Sequence, residues 1–373
     1  MITIALIGTG GIAHKHLQSW LLFPDRCRVI ALVNRTSARA EAFRAEYCLQ
    51  AAVFTELTDA LALHPDLVDI CTPPAAHADL TVQALQAGCH VVVEKPMSLS
   101  LEDCDRMLRA REASGKTLSV IAQNRFRRDM RDLKAMLDSG IAGRLHHAHV
   151  NGFFLRGRSY YDLAWRGTWE GEGGGCTINQ GIHFLDLMIW MAGMPDRITA
   201  VLANTGHDNS ETEDISVAVM EYPGALATFT ASVVEHGQEQ GIVLQCEKAK
   251  LACPGGVFAS QYREDGFPLP EGDPDFAQQA DAFLRSLPPM PYERMDGQLE
   301  EVLSALEQEK APAVSGEDGR RAVELVTAIY QAGSTHERVT LPIREDNPFY
   351  TLHGLRARVP HFHWSQRRRG ERT

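Results

Sequence analysis

Short apolar runs alternate with segments of helical periodicity over the first 122 residues. The runs are rich in Val, Ile and Leu, whereas the segments at 37–46, 76–87 and 101–114 carry Ala, Leu, Glu and Arg at helical spacing. This alternation is typical of βαβ units, so the pattern predicts a doubly wound parallel sheet of the α/β class. The predicted strands lie at 2–7, 28–33, 51–54, 67–71, 90–93 and 117–122.

Beyond residue 122 the pattern changes to longer β-rich runs. After a helical segment at 129–138 they predict an α+β domain with a large, mostly antiparallel open sheet. A loop rich in Tyr, Trp, Arg and Gly at 156–175 has the composition of a binding loop or of a surface connector. The predicted strands lie at 145–154, 198–204, 214–221, 225–234 and 241–247, and further helices at 182–191, 275–287 and 318–332.

We therefore predict three parts: a first domain at 1–122, a second at 123–345 and a C-terminal extension at 346–373. The length of 373 residues suits two domains, since single cores stop growing beyond about 250–300 residues. The extension carries a basic run at 367–369, which we interpret as a solvated tail.

Charge and composition narrow the partners. With 37 basic and 48 acidic residues the formal charge is −11, which disfavours nucleic acid and anionic membranes. No apolar stretch reaches the roughly 18 residues of a membrane span, and the first residues lack the basic region of a secretory leader. The eight cysteines are scattered without CxxC pairs, as in a reduced, cytoplasmic protein. His146, His147 and His149 lack a visible further ligand, so no metal is predicted.

A glycine motif follows the first predicted strand and opens a helix. It reads Gly8-x-Gly10-x-x-Ala13, with Gly11 and Ile12 between. In this context glycines permit a tight turn and close approach of a pyrophosphate to backbone amides. The first domain is therefore predicted to be a Rossmann domain that binds NAD(P).

The end of the second strand bears on the choice between NAD and NADP. An acidic residue there would bind the ribose 2′-hydroxyl and repel a 2′-phosphate, but the chain has the neutral Asn34 followed by Arg35. Arg35 with Arg39 could accept a 2′-phosphate, or could be present for solubility alone. We favour NADP(H).

Three further strings resemble the Gfo/Idh/MocA oxidoreductase family. They are Thr72-Pro73-Pro74-x-x-His77, Val93-Glu94-Lys95-Pro96, and the run from Gly173 to Asp186 that contains Asn179 and His183. The resemblance covers nearly the whole chain. It implies hydride transfer to or from a sugar or cyclitol, contacts of Thr72, Pro73, His77, Glu94 and Lys95 with the cofactor, and a cis bond between Lys95 and Pro96.

The resemblance also implies a catalytic set of Lys95, His183 and Asn179. Lys95 would stabilise the developing alkoxide, and His183 would exchange a proton with the substrate hydroxyl. One common version of the family has aspartate at position 179. Asn179 cannot take a proton, so it would only orient a hydroxyl, and proton transfer would fall to His183, oriented by Asp186 one turn further on.

The substrate pocket is predicted from residue type. Sugars stack on aromatic rings and form hydrogen bonds with guanidinium groups, which makes six residues candidates alongside Asn179 and His183. Two rival functions stay open: an NAD-dependent glycosidase that oxidises, eliminates and re-reduces, and a sugar-sensing regulator without chemistry. We also expect a homodimer or homotetramer, because a sheet with helices on one face leaves an apolar face to cover. The six candidates for the substrate pocket are Arg125, Tyr160, Tyr161, Trp165, Arg166 and Trp169.

Overall fold

The computed structural model describes residues 1–363; the predicted basic tail lies outside this range. The first sheet has six parallel strands in the order β3-β2-β1-β4-β5-β6, as predicted from the alternating runs. The order reverses between β1 and β4, where open α/β sheets form their binding crevice at the carboxyl ends of the strands. The strands are β1 (Ile2–Ile7), β2 (Cys27–Val33), β3 (Ala52–Phe54), β4 (Leu67–Ile70), β5 (His90–Val93) and β6 (Leu118–Val120).

Crossover helices cover this sheet. α5 shows how the sequence sets their bounds: the Ser100 hydroxyl accepts the backbone N–H of Asp103 at its start, and Gly115 ends it with a φ of 65°. The short α3 had no distinct sequence signal. The helices are α1 (Gly11–Trp20), α2 (Ser37–Glu46), α3 (Leu57–Leu61), α4 (His77–Gln86) and α5 (Leu101–Ser114).

The second sheet has eight strands in the order β13-β12-β11-β7-β10-β9-β8-β14. Within residues 1–363 only the β7–β10 pair of this sheet is parallel, so the expectation of a mostly antiparallel sheet is confirmed. Three short strands, β12 to β14, were not among the predicted ones. The strands are β7 (Leu145–Phe153), β8 (Arg197–Ala203), β9 (Ile215–Tyr222), β10 (Ala225–Ser232), β11 (Gln240–Cys246), β12 (Lys250–Cys253), β13 (Gly256–Phe258) and β14 (Val339–Thr340).

Helices pack on one face of this sheet and connect it to the first. α8 and α11 share a buried core with the inward side chains of β7 to β10, for example Phe229. The opposite face leaves Val201 and Val217 exposed. The helices are α6 (Arg128–Asp138), α7 (Trp169–Glu172), α8 (Ile182–Ala192), α9 (Pro274–Ser286), α10 (Arg294–Glu307), α11 (Gly316–Thr335) and α12 (Leu352–Arg356).

Late segments of the chain return to the first sheet. Leu299 and Leu303 of α10, a helix that was not predicted, pack in one cluster with Leu17 and Trp20 of α1. The hydroxyl of Tyr350 donates to Asp105 of α5 at 2.6 Å. The first core is therefore completed by residues far beyond 122. No helix in residues 1–363 is long and apolar enough to cross a membrane.

Candidate active site

Two glycines of the first βα turn have different roles. Gly8 has a φ of +89°, and a Cβ there would lie 2.8 Å from the carbonyl oxygen of Cys71. The fold itself therefore requires glycine at position 8. At Gly10 a Cβ would meet nothing within 4 Å. Gly10 is not needed for packing, and the space beside it is left for a ligand.

The start of α1 suits a pyrophosphate. Its N-cap is Gly10, with no side-chain cap and no acidic residue in the first turn. The first amides of the helix are thus available, and the helix dipole favours an anion there. Within the described residues the buried hydroxyl of Thr72, beside this loop, has no hydrogen-bond partner. These features fit a dinucleotide.

At the end of β2, Asn34 is tied to its surroundings. Its Nδ2 donates to the Thr9 hydroxyl at 2.5 Å, and its Oδ1 accepts from the Thr36 amide at 3.0 Å. Arg35 and Arg39 are exposed, and neither side chain has a hydrogen bond or ion pair within residues 1–363. Two exposed cations therefore lie near the end of β2, one in the loop that follows it and one in α2.

A buried network lies behind the reactive lysine. The imidazole of His16 lies between two carboxylates, with Nδ1 2.9 Å from Asp69 Oδ1 and Nε2 3.1 Å from Glu94 Oε1. Glu94 also accepts the backbone N–H of Lys95 at 2.9 Å. Burial favours the neutral acid, but the hydrogen bond and charge of His16 prevail and lower the pKa of Glu94 to about 2. The ionised Glu94 thus accepts a backbone hydrogen bond at the end of β5. The sequence analysis did not predict His16 or Asp69 as part of this network.

The lysine follows this network at the carboxyl end of β5. The Lys95-Pro96 bond is cis, as expected. Lys95 Nζ donates to the backbone oxygen of Asn179 at 2.9 Å, which joins the two motifs across the domains. Burial lowers the pKa of Lys95, while Glu94 and Glu172 act to raise it. Lys95 therefore lies beside the run from Gly173 to Asp186, which contains Asn179 and His183.

His77, a predicted cofactor contact, joins two loops of this crevice. Its ring nitrogens lie 2.9 Å from the carbonyl oxygens of Pro96 and Thr72. The ring is fully buried. The structure therefore gives His77 the role of holding together the loops after β4 and β5, the loops that carry Thr72 and Lys95.

His183 lies at the start of α8, within the run from Gly173 to Asp186. The π-helical segment Thr177–Gly181 leads directly into α8, whose second residue is His183. Lys95 and His183 line one cleft together with Met97, Val120 and Ile182. Burial, followed by the charge of Lys95, lowers the pKa of His183 to about 3. The imidazole is therefore neutral at physiological pH and able to accept a proton.

Two expectations for neighbouring residues are corrected. Asp186 does not orient His183, because both its carboxylate oxygens accept from Arg125, at 2.7 and 2.9 Å. Arg125 also pairs with Asp318 and is only 4% exposed. Its guanidinium is thus engaged in a buried ion pair and not presented to a substrate. Residue type alone could not show this pairing over 61 positions.

A polar cluster surrounds Asn179. Asn179 Nδ2 donates to Glu172 Oε1 at 3.1 Å, and Arg166 lies 3.3 Å from the same oxygen. The Arg166 guanidinium is 4.1 Å from the Tyr160 ring centroid, and it forms a hydrogen bond with the Tyr160 hydroxyl. Glu172 was not predicted, although as a carboxylate seven residues before Asn179 it could have been noticed. The loop therefore brings Tyr160 and Arg166 to the site.

The aromatic candidates divide into two groups. Trp165 is 37% exposed and stacks against Arg166 at 4.5 Å, at the rim of the cluster. Trp169 is fully buried, and its Nε1 donates to the carbonyl oxygen of Pro360. Tyr161 is 5% exposed. Trp169 and Tyr161 are thus buried, whereas Tyr160 and Trp165 are more exposed and contact Arg166.

The histidine run on β7 has a structural arrangement. The rings of His147 and His149 pack edge to face at 4.1 Å, and His149 bonds the Thr228 hydroxyl. In the described part of the chain one group of three residues has potential metal-ligand atoms within 4.8 Å of one another: His16, Asp69 and Cys71. It is fully enclosed, and its side chains already bond to each other and to Glu94.

Comparison with known families agrees with this geometry. Residues 2–122 match the family described as "Oxidoreductase family, NAD-binding Rossmann fold", and residues 130–252 match the "GFO/IDH/MocA C-terminal domain". The chain belongs to the Gfo/Idh/MocA family. Its membership of this NAD-binding oxidoreductase family confirms the resemblance seen in the three motifs and the predicted α/β fold class.

Relatives of known activity resemble part of the chain. A D-glucoside 3-dehydrogenase from Escherichia coli K12 is 28% identical over 52% of this chain and 55% of the relative. A scyllo-inositol 2-dehydrogenase (NADP(+)), IolW, from Bacillus subtilis 168 is 32% identical over 42% of this chain and 43% of the relative. The matches thus span about half of these relatives' length.

A solved structure resembles nearly all of this chain. The WlbA dehydrogenase from Bordetella pertussis, in complex with NADH and UDP-GlcNAcA, is 28% identical with a TM-score of 0.79. The match covers 92% of this chain and 98% of that one. The similarity of fold therefore extends over both domains of this chain.

Proposed function

We propose that this Gfo/Idh/MocA protein transfers a hydride between a nicotinamide and a secondary alcohol or ketone of a sugar, cyclitol or sugar derivative. The observation that carries the proposal is the hydrogen bond between Lys95 Nζ and Asn179, which joins the end of β5 to the motif containing His183. The dehydrogenases named above act on sugar-like alcohols, which supports this substrate class.

The side chains divide the chemistry between them. Bound NAD(P) supplies the hydride acceptor or donor. In alcohol oxidation His183, whose ring is neutral because burial and Lys95 lower its pKa, accepts the hydroxyl proton on the lone pair of the neutral imidazole. Lys95 donates a hydrogen bond to the same oxygen and stabilises its developing negative charge. Asn179 orients the substrate, and Tyr160, Trp165 and Arg166 line its entrance.

A substrate panel tests the proposal against its rivals. Aldoses, inositols and nucleotide sugars are incubated with NAD or NADP, and absorbance at 340 nm is compared with product formed. A dehydrogenase forms reduced cofactor, measured by the absorbance, and product in equal amounts. A glycosidase that re-reduces its intermediate would form product without net absorbance change, and a regulator would bind without turnover. The presence of both Lys95 and His183 favours chemistry over sensing alone.

Arg35 provides a test of the preference for NADP(H). Arg35→Ala is expected to raise KM for NADP by about 10-fold and to leave KM for NAD within about 2-fold, because a charge-assisted hydrogen bond to the 2′-phosphate is lost. Steady-state kinetics with both cofactors measure this. Arg28→Ala, exposed at the other end of β2, is the matched control. An unchanged KM for NADP would contradict the preference.

The open sheet face supports a homo-oligomer built on dimers. Outward side chains of three neighbouring strands, including Val201, Val217 and Leu226, are 44–60% exposed, and such apolar faces are usually covered. Val201→Glu is expected to reduce the mass measured by light scattering to that of a monomer, while Leu63→Glu, equally apolar but elsewhere on the surface, leaves it unchanged. A monomeric wild type at micromolar concentration would refute this.

Cysteine chemistry supports a reducing compartment, and we propose the cytoplasm. All eight cysteines lie within the described residues, and all are free thiols. Six of them are buried, so they serve as small core side chains. Proteins of oxidising compartments more often join such residues in disulfides.

A further inference from the structure

A buried carboxylate lies beside the proposed catalytic residues. Glu172 is the last residue of α7 and is only 2% exposed. Its Oε1 accepts from Asn179 and Arg166, and its Oε2 accepts from the backbone N–H of Gly167. Both oxygens act as acceptors, so this geometry uses the ionised form. Burial raises the pKa of Glu172, opposed by these same donors.

Glu172 decides which way the Asn179 amide faces. A carboxylate can only accept, so the NH₂ group of Asn179 must point to Glu172, and its Oδ1 must point elsewhere. Across residues 1–363 no group donates to this Oδ1. A directed acceptor is thus left open within the site.

The open acceptor belongs to the reacting region. Asn179 lies in the π-helical segment Thr177–Gly181, which leads directly into α8, so it is about one helical turn from His183. The backbone oxygen of Asn179 also accepts from Lys95 Nζ. A ligand held by Lys95 would therefore lie beside Asn179.

We propose that Glu172 is a positioning residue, which fixes the Asn179 amide so that Oδ1 accepts from a second hydroxyl beside the reacting one. This rests on the proposed function and narrows its substrate class to polyols with neighbouring hydroxyls. A keto or carboxylate group at that place offers no proton and is disfavoured. An isolated secondary alcohol leaves the acceptor unpaired, a loss that specific sites penalise strongly.

A substrate-independent test uses the pH dependence of stability. Asn179→Asp would place a second carboxylate about 3 Å from Glu172, and such a pair shares a proton. The folded pKa is then raised above the unfolded values of about 4, so folded protein holds more protons and stability falls as pH rises through the raised pKa. The Tm of N179D is expected to fall below that of wild type at pH 8 and to recover at pH 5.5.

The partner substitution separates this coupling from simple damage. In the double variant Glu172→Gln/Asn179→Asp the donor and acceptor are exchanged, since the introduced glutamine amide can donate to the introduced carboxylate and leave the other carboxylate oxygen as the open acceptor. This variant is expected to lose the pH dependence of Tm. A Tm deficit of N179D that is equal at both pH values, or that persists in the double variant, would overturn the proposal whether or not any substrate has been found.

Turnover then tests the substrate class. With the best polyol of the panel, Glu172→Gln is expected to lower kcat/KM about 10-fold, because a glutamine can present either end of its amide and no longer fixes Asn179. With the analogue that lacks the neighbouring hydroxyl the loss should be less than about 2-fold, and N179D/E172Q should recover activity on the polyol. Equal losses on both substrates would show that Glu172 only supports the loop.

Discussion

His183→Ala is expected to lower kcat for alcohol oxidation by roughly 10²- to 10⁴-fold, the usual contribution of a general base. The hydroxyl proton would then lose its proposed acceptor in the cleft that Lys95 and His183 line. Cofactor binding should be intact, because His183 lies on the second domain, away from the glycine loop. Steady-state kinetics, with fluorescence titration of the dinucleotide, measure both quantities.

Lys95→Ala should reduce kcat comparably, because it removes a charge felt mainly as the oxyanion develops. Asn179→Ala should cost less. The pH profile distinguishes the two large losses. A base acts above its pKa, so with a value of about 3 for His183 the acidic limb of the wild type is expected well below pH 6. Removing Lys95 takes away a cation that lowers this pKa, so the limb should move to higher pH in Lys95→Ala.

The His183 variant itself should lose this limb. If His183→Ala retained near-normal kcat with the acidic limb in place, another group would be the base, and Lys95 is the first candidate. A loss confined to KM would instead show that His183 only binds the substrate.

Gly10→Asp is expected to weaken dinucleotide binding by about 100-fold or more while leaving the fold intact. A Cβ at this position would meet no neighbouring heavy atom within 4 Å, so the position has room for a side chain. Aspartate at an N-cap accepts the first amides of the helix, which stabilises the helix but occupies the donors that a pyrophosphate needs. Its charge also repels the phosphates. Fluorescence titration with NADH and NADPH gives the affinity, and Tm reports the fold.

Gly10→Asn is the matched control. Asparagine caps a helix about as well as aspartate and has nearly the same volume, but it carries no charge. Its affinity should therefore lie between those of wild type and Gly10→Asp, with all three proteins having a similar Tm. Unchanged affinity in Gly10→Asp would mean that the dinucleotide does not bind at the start of α1.

Local pattern was enough to predict most elements of the fold. The six parallel strands and α5 agree with their predicted positions within about two residues, because each buries a run of apolar side chains between clear turn or cap residues. The elements that were missed are short or lack such a signal. β12 to β14 have two to four residues, and α10 packs on α1 from some 280 positions away.

The candidate site shows the same division. Gly8 and Gly10 stand in a motif whose context indicates dinucleotide binding, and the proposed roles of Lys95 and His183 follow from the resemblance of their motifs to the Gfo/Idh/MocA family. No motif indicates the pairing of Arg125 with Asp186, because an arginine and an aspartate are equally able to face a substrate or each other. The pairing of Glu172 with Asn179 is likewise not indicated by the sequence. The two residues come together because the chain turns at the glycines 173–175.

By itself, then, the sequence determined the two kinds of sheet and the position of the glycine loop, which depend on periodicity and spacing along the chain. The residues proposed for the reacting centre came from the resemblance of their motifs to a family. Only the tertiary structure decided the partners of the buried polar groups. His16 contacts both Asp69 and Glu94, Asp186 accepts hydrogen bonds from Arg125, and Glu172 accepts one from Asn179. Each is a choice of partner among buried polar groups. Because an unpaired polar group is costly in the interior, the choice is made by whichever donors and acceptors the folded chain brings within reach.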